Sequence, residues 1–281
     1  MSAITFLIAT FAASIGAGIF GALLGLGGGA ILIPVLTLAL GIDIHYAIGA
    51  SIVSVIATSS GAAAAYLRDG VSNIRIGMAL EMATTVGAIV GALIAGFVGG
   101  PGLFILFGGL MLYSAFTMFR RRDAELPVGV TMGPIANFLH LGSSYYDGAL
   151  NRLITYNVRG VRYGLPLMFI AGAASGLLGI GSGVLKVPAM DIAMKLPMKV
   201  STATSNFMIG VTAAASAGVY FARGDVNPFI AAPVALGVLI GAAIGTRLMM
   251  RMRSALIRRV FIVVLVVVAL QMLVKGLGIQ F

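Results

Sequence analysis

Lys186 follows the run Gly181-Ser182-Gly183 by three residues and stands in an otherwise apolar stretch. An ammonium placed deep among apolar segments is costly, and it marks either an ion pathway or an ion pair. Two acids are available for a pair: Glu81, in the apolar segment 75–98, and Asp191, five residues beyond Lys186. Two readings stay open here. Lys186 holds an anionic substrate, or it pairs with Glu81 or Asp191 for structure. Either acid is also placed to carry a coupling proton, although Glu81, six residues past Arg75, is equally placed to reach a membrane interface.

A second chemistry belongs to the backbone. Gly27-Gly28-Gly29 and Gly181-Ser182-Gly183 each open a short apolar stretch, 30–40 and 184–194, of 11 residues. At ~1.5 Å per residue such a stretch reaches about half way across a bilayer core. The free N–H groups and positive dipole end of a half-helix favour an anion, and glycine lets a ligand approach the backbone closely. The competing reading is that these glycines only permit tight helix packing. Polar runs on the next helices, 45–66 and 200–222, supply donors. Among them Ser51, Ser205 and Asn206 are the candidates for facing a cavity, against the common alternative that Ser and Thr bond back to their own helix or join neighbours.

These residues sit on a duplicated frame. Leu23-Leu24-Gly25-Leu26-Gly27-Gly28-Gly29, five residues before Pro34, recurs as Leu177-Leu178-Gly179-Ile180-Gly181-Ser182-Gly183, five before Pro188, at an offset of 154. The same offset matches Ser51 with Ser205, Thr58 with Thr212, Tyr66 with Tyr220, Gly70 with Gly224, Asn73 with Asn227, Gly87 with Gly241 and Gly91 with Gly245. The counterpart of Lys186 is Leu32. Apolar stretches at roughly 3–24, 45–66, 75–98 and 102–119, then 163–178, 200–222, 228–248 and 260–275, surround the two short ones. The expected organisation is an N-terminal membrane repeat (1–119), a polar cytoplasmic linker (120–162) and a C-terminal membrane repeat (163–281). Each repeat combines a helix, a glycine turn and a returning half-helix, a re-entrant hairpin, with three membrane helices. A conventional count is about eight transmembrane segments.

Composition leaves no other solvent but lipid. Of the 281 residues 60% are hydrophobic and 9% charged, against about 25% charged in soluble domains. The net charge of +10 suggests topology and not nucleic acid, because the basic residues lie between apolar segments. If the repeats are inverted, Arg68, Arg75, Arg120, Arg121, Arg122, Arg152, Arg159, Arg162, Lys195, Lys199, Arg247, Arg251, Arg253, Arg258 and Arg259 share one side, 15 of the 18 Lys and Arg. Parallel repeats would put much of this charge outside, so the positive-inside tendency favours inversion. The start, Met1 to Phe20, reads as a first membrane segment and not a cleaved signal. With no Cys there is no disulfide or thiolate chemistry.

At the paired glycine stretches Gly25 to Pro34 and Gly179 to Pro188, the chain resembles the sulfite exporter family called TauE/SafE. The stretches Gly49-Ala50-Ser51 and Ala203-Thr204-Ser205, and Gly70 and Gly224 after Tyr66 and Tyr220, support the resemblance. It covers both repeats. It implies a membrane permease for sulfite, sulfonated organic compounds or related sulfur oxyanions, which agrees with an anion site at half-helix ends.

The expectation is therefore an all-α polytopic inner-membrane transporter of a small anion. No cofactor and no metal are expected. Its partners are lipid, the anion and a coupling proton, without nucleic acid, and homo-oligomerisation stays open. An anion channel is the main alternative. An intramembrane enzyme lacks its motifs: there is no H-E-x-x-H, and neither His45 nor His140 lies in the second repeat's membrane segments. The 43-residue linker reads as a tether, with a regulatory or docking role as the alternative.

Overall fold

The computed structural model describes residues 3–120, 126 and 129–278. Arg121, Arg122 and Pro127 of the linker lie outside the described residues. The first repeat runs α1 (Ala3–Leu24), α2 (Gly29–Pro34), α3 (Ile44–Arg68), α4 (Ile74–Ala95) and α5 (Gly100–Phe119). The linker holds α6 (Pro134–Phe138) and an antiparallel hairpin, β1 (Ser143–Asp147) with β2 (Arg152–Tyr156). The second repeat runs α7 (Val161–Leu178), α8 (Gly183–Pro188), α9 (Met198–Ala222), α10 (Pro228–Arg251) and α11 (Ser254–Gly276). Among the described residues seven helices are long and apolar enough to cross a membrane: α1, α3, α4, α5, α7, α10 and α11. The helix α9 is as long as α3 but carries Lys199, Ser201, Thr202, Thr204, Ser205 and Asn206 in its first turns. The protein is an all-α polytopic membrane protein, with one small hairpin outside its helices among the described residues.

Both short stretches are half-helices of mixed geometry. Each begins as α-helix and changes at its proline to a π-turn, Val35–Ala39 after Pro34 and Ala189–Ala193 after Pro188. Proline lacks an N–H and its ring crowds the carbonyl four residues back, so the register shifts there. Wider rings follow, with Leu40 N–H on the Val35 carbonyl and Met194 N–H on the Ala189 carbonyl.

Packing repeats with the sequence. The helices pair as α1 with α10, α4 with α7, α3 with α9 and α5 with α11. The 154-residue offset converts the first pairing into the second and maps the other two onto themselves. Glycines make the close pairs. A Cβ on Gly241 would lie 2.2 Å from the Ile15 carbonyl oxygen, and one on Gly87 2.2 Å from that of Phe169, its equivalent. Asn73 and Asn227, also equivalent, cap α4 and α10 through Ile76 N–H and Phe229 N–H.

The central helices α3 and α9 run antiparallel. Gly49, early in α3, abuts Asp225 in the turn after α9. Thr204, early in α9, accepts from Asn73 N–H in the turn after α3. Each short segment also returns to the end where its hairpin began. Phe6 near the start of α1 stacks on Phe229 at the start of α10. The carbonyl of Thr37, in the first π-turn, accepts from Lys275 at the end of α11. In the second repeat Arg159 N–H, just before α7, bonds the carbonyl of Met194, just after the second π-turn.

Candidate functional site

The glycine runs lie between α3 and α9, and they touch one another. Val55 of α3 and Ile209 of α9, equivalent residues, both flank Gly27 and Gly181. A Cβ on Gly183 would sit 1.8 Å from the Gly25 carbonyl oxygen, and one on Gly29 3.0 Å from that of Gly179. Gly27 and Gly28 have φ of +74° and +80°, left-handed backbone that favours glycine. Ser182, the equivalent of Gly28, has φ −63°, so a side chain is tolerated there.

Ser51 and Ser205 lash the loops across the repeats. Ser51 Oγ donates to the Gly179 carbonyl at 2.7 Å, and Ser205 Oγ to the Gly25 carbonyl at 2.9 Å. Asn206 Nδ2 donates to the Ala22 and Thr202 carbonyls. The donors of all three are thus spent on backbone in this conformation. Asn206 Oδ1 and the hydroxyls of Ser54, Thr58, Ser182 and Thr202 are buried with no hydrogen-bond partner among the described residues. Tyr66 and Tyr220 add a matched pair of ties, to the Ala22 and Gly176 carbonyls.

Lys186 projects from α8 into a different cluster. Its Nζ lies 3.1 Å from Glu81 Oε2 on α4 and 2.7 Å from Thr212 Oγ1 on α9. Lys186 is fully buried and Glu81 is 8% exposed. The Glu81 carboxylate meets two donors at each oxygen. Thr84 joins Lys186 at Oε2, at 2.9 Å, while Thr212 and Thr85 lie 2.5 and 3.2 Å from Oε1. Both oxygens of this buried side chain are thus hydrogen-bonded, as buried polar groups ordinarily are. The cluster breaks the internal symmetry: the equivalents of Lys186, Glu81 and Thr84 are Leu32, Ala235 and Val238.

Of the two partners open to Lys186, the structure therefore supplies Glu81. Asp191 instead meets Arg258, which lies buried on α11 and not in a loop, at 2.8 Å. Sequence reasoning passed over Thr84 and Thr85, although they stand three and four residues after Glu81, the spacing of one helix face.

It also passed over a third buried pair. Lys199 Nζ meets Asp147 Oδ1 at 2.8 Å, at the end of the linker hairpin. Asp147 further accepts from Ala149 and Leu150 N–H and from the Tyr145 hydroxyl. With Asn73 Nδ2 on the Leu141 carbonyl and the Tyr156 hydroxyl, these bonds dock the linker on the ends of the helices. Burial alone would raise the Asp147 carboxyl, but the Lys199 ammonium and the two backbone N–H groups hold it below the usual carboxylate range. A carboxyl depressed in the folded state stabilises above its unfolded pKa of about 4 and loses that contribution only as pH falls through the lower folded value. Docking is therefore expected to be indifferent to pH from neutrality down to about 5 and to loosen in stronger acid. Asp147→Ala, which strands a buried lysine, is expected to cost roughly 3–5 kcal/mol. Limited proteolysis across the linker as pH is lowered, with thermal melts of the variant, checks both.

Comparison with known proteins points to a membrane transporter. The family model described as sulfite exporter TauE/SafE matches residues 10–272. A probable membrane transporter protein, YunE, of Bacillus subtilis (strain 168) is 27% identical over 270 residues, 93% of this chain and 95% of that protein. A probable membrane transporter protein of Xylella fastidiosa (strain 9a5c) is 30% identical over 260 residues, 90% of each chain. YdhB of Bacillus subtilis (strain 168), also a probable membrane transporter protein, is 27% identical over 231 residues, 82% of this chain and 85% of that one. No solved structure matches. Paired glycine loops on a duplicated helical frame and a family match across nearly the whole chain lead to one conclusion: this membrane transporter belongs to the sulfite exporter TauE/SafE family.

Proposed function

We propose that the chain is a secondary transporter of a small anion, a sulfur oxyanion such as sulfite or an organosulfonate, in the inner membrane of a bacterial-type cell. One observation carries the reading. Lys186, fully buried on the half-helix that follows a glycine loop, has an acid and a hydroxyl for neighbours. A buried ammonium among membrane helices is retained at a cost, and anion recognition explains the cost. The printed description of the family, sulfite exporter, points to the same substrate class.

The antiparallel run of α3 and α9, and the return of each half-helix to the end where its hairpin began, support inverted repeats with re-entrant glycine loops. In that plan the substrate lies near the midplane, and one repeat moves against the other to expose it alternately. The loops would then part to admit the anion. The unpartnered hydroxyls of Ser54, Thr58, Ser182 and Thr202 would donate to it, because buried polar groups are otherwise satisfied. Ser51, Ser205 and Asn206 would hold the loops in register. The loops' mutual contact favours a transporter over an open channel. Coupling to a proton falls to one of the two membrane acids, Glu81 or Asp191.

The test is uptake of radiolabelled sulfite into proteoliposomes, with sulfate, thiosulfate, methanesulfonate and chloride as competitors. Saturable uptake inhibited by one sulfur anion is expected. Lys186→Ala is expected to lower it about ten- to a hundred-fold, the worth of one hydrogen bond to a charged group. No uptake by the wild type under any imposed proton gradient would remove the sulfur-anion assignment.

A further inference from the structure

We infer that Glu81 is the exchangeable counter-ion of the substrate site, leaving Lys186 by taking up a proton, so that one proton travels with each monovalent anion. The inference rests on the reading that Lys186 anchors the transported anion.

The starting point is a closed, neutral cluster. Lys186 faces Glu81 at 3.1 Å, and the carboxylate has donors at both oxygens. An anion arriving at Lys186 would bring a second negative charge to one ammonium in a buried place, which disfavours keeping both ionised. One of the two must go, and Glu81, tied to its helix, leaves electrically and not spatially. A proton from water binds a carboxylate oxygen, giving a neutral carboxylic acid. The Lys186–Glu81 ion pair is lost. Lys186 N–H and the Thr212 O–H, no longer held by a carboxylate, donate to the anion. Release runs in reverse: the anion departs, Glu81 returns its proton to water on the far side, and the ion pair re-forms. No bond other than O–H is made or broken.

Other charged groups on the packed elements are engaged elsewhere. On α4, Arg75 donates to the His140 carbonyl. On α7, Arg162 lies over the Tyr163 ring. After α8, Asp191 meets Arg258, and on α9 Lys199 meets Asp147 while the Tyr220 hydroxyl donates to Gly176. The symmetry-equivalent site offers no second pair, with Leu32 on α2 and Ala235 on α10 at the equivalent positions, so the stoichiometry is one.

Two consequences follow from charge balance. The empty site, Lys⁺ with Glu⁻, and the loaded site, Lys⁺ with neutral Glu and a monovalent anion, are both neutral, so the cycle moves no net charge. A dianion such as sulfate leaves one negative charge uncompensated and is discriminated against.

The experiment uses the full chain in proteoliposomes with an internal pH dye. Methanesulfonate, permanently monovalent, and sulfite in mildly acid buffer, where it is bisulfite, are the probes, with sulfate for comparison. Membrane current is recorded on a solid-supported membrane. One proton per anion for whichever probe is carried, with no current, is the expected result. Infrared difference spectra should show a protonated carboxyl appearing when that probe binds, and Glu81→Gln should lack the band. Anion flux without protons, or a carboxyl band that survives in Glu81→Gln, overturns the inference and leaves the transporter reading standing. No flux of either probe overturns the sulfur-anion reading, and the inference with it.

Discussion

Gly183→Ala is expected to yield little or no folded protein, while Gly218→Ala is expected to fold and melt at or slightly above the wild-type temperature. Both glycines lie in helical segments, and Gly183 does not need a left-handed backbone, so the difference is one of space. At Gly183 a methyl group would sit 1.8 Å from the Gly25 carbonyl oxygen and 2.7 Å from its carbon. That neighbour is backbone, and it is lashed in place by Ser205 Oγ at 2.9 Å, so it has no rotamer to escape into. Overpacking ordinarily costs about 1–3 kcal/mol. A backbone-to-backbone overlap at the junction of both repeats belongs at or beyond the top of that range. At Gly218 nothing lies within 4 Å, and alanine in a helix is favoured over glycine by up to about 1 kcal/mol. The chain has no Trp and no Cys, so neither tryptophan fluorescence nor thiol dyes can follow its unfolding. Circular dichroism melts and size-exclusion profiles in detergent serve instead. A Gly183→Ala protein that purifies and melts like wild type would mean that the loops do not meet as described.

The loops and the repeat were legible because duplication preserves spacing, and because glycine recurs at matched close approaches of two backbones: at Gly87 against Phe169 and its equivalent Gly241 against Ile15, and in the two glycine runs themselves. The half-helices were legible to within a residue, 30–40 and 184–194 against 29–39 and 183–193. Their change to π-geometry was not, since proline shows where a register breaks but not how the next turn closes. Donor directions were also beyond the sequence. Ser51 and Ser205 sit on the helices expected to line a cavity, yet their hydroxyls reach loop carbonyls 128 and 180 residues away in the chain. The partner of Lys186 is 105 residues distant, whereas the nearby acid, Asp191, is drawn to α11. The linker hairpin had a local signal, Asp147-Gly148 between tyrosine- and threonine-bearing stretches. It is weak beside the apolar periodicity of the helices, and so the Lys199–Asp147 dock stayed hidden.

Glu81→Ala alone is expected to destabilise the protein by roughly 3–5 kcal/mol, because it strands a fully buried ammonium. The double variant Glu81→Met with Lys186→Met is expected to recover most of that loss, since a buried ion pair replaced by apolar groups of similar volume is often neutral or stabilising. The threonines around the pair permit the recovery. Thr212 has the Met208 carbonyl at 3.1 Å and Thr84 the carbonyl of residue 81 at 2.9 Å, so neither hydroxyl is stranded when the carboxylate goes. Transport separates the two roles open to Lys186, structural ion pair and anion anchor. If the pair is only structural glue, the stable double variant should carry the anion at a rate close to wild type. If Lys186 is the anchor and Glu81 its counter-ion, the double variant should be stable and inactive, with sulfite uptake down at least as far as in Lys186→Ala. Melting curves for wild type, both single variants and the double give the coupling energy between the two side chains. Uptake by the same four proteins decides what that coupling is for.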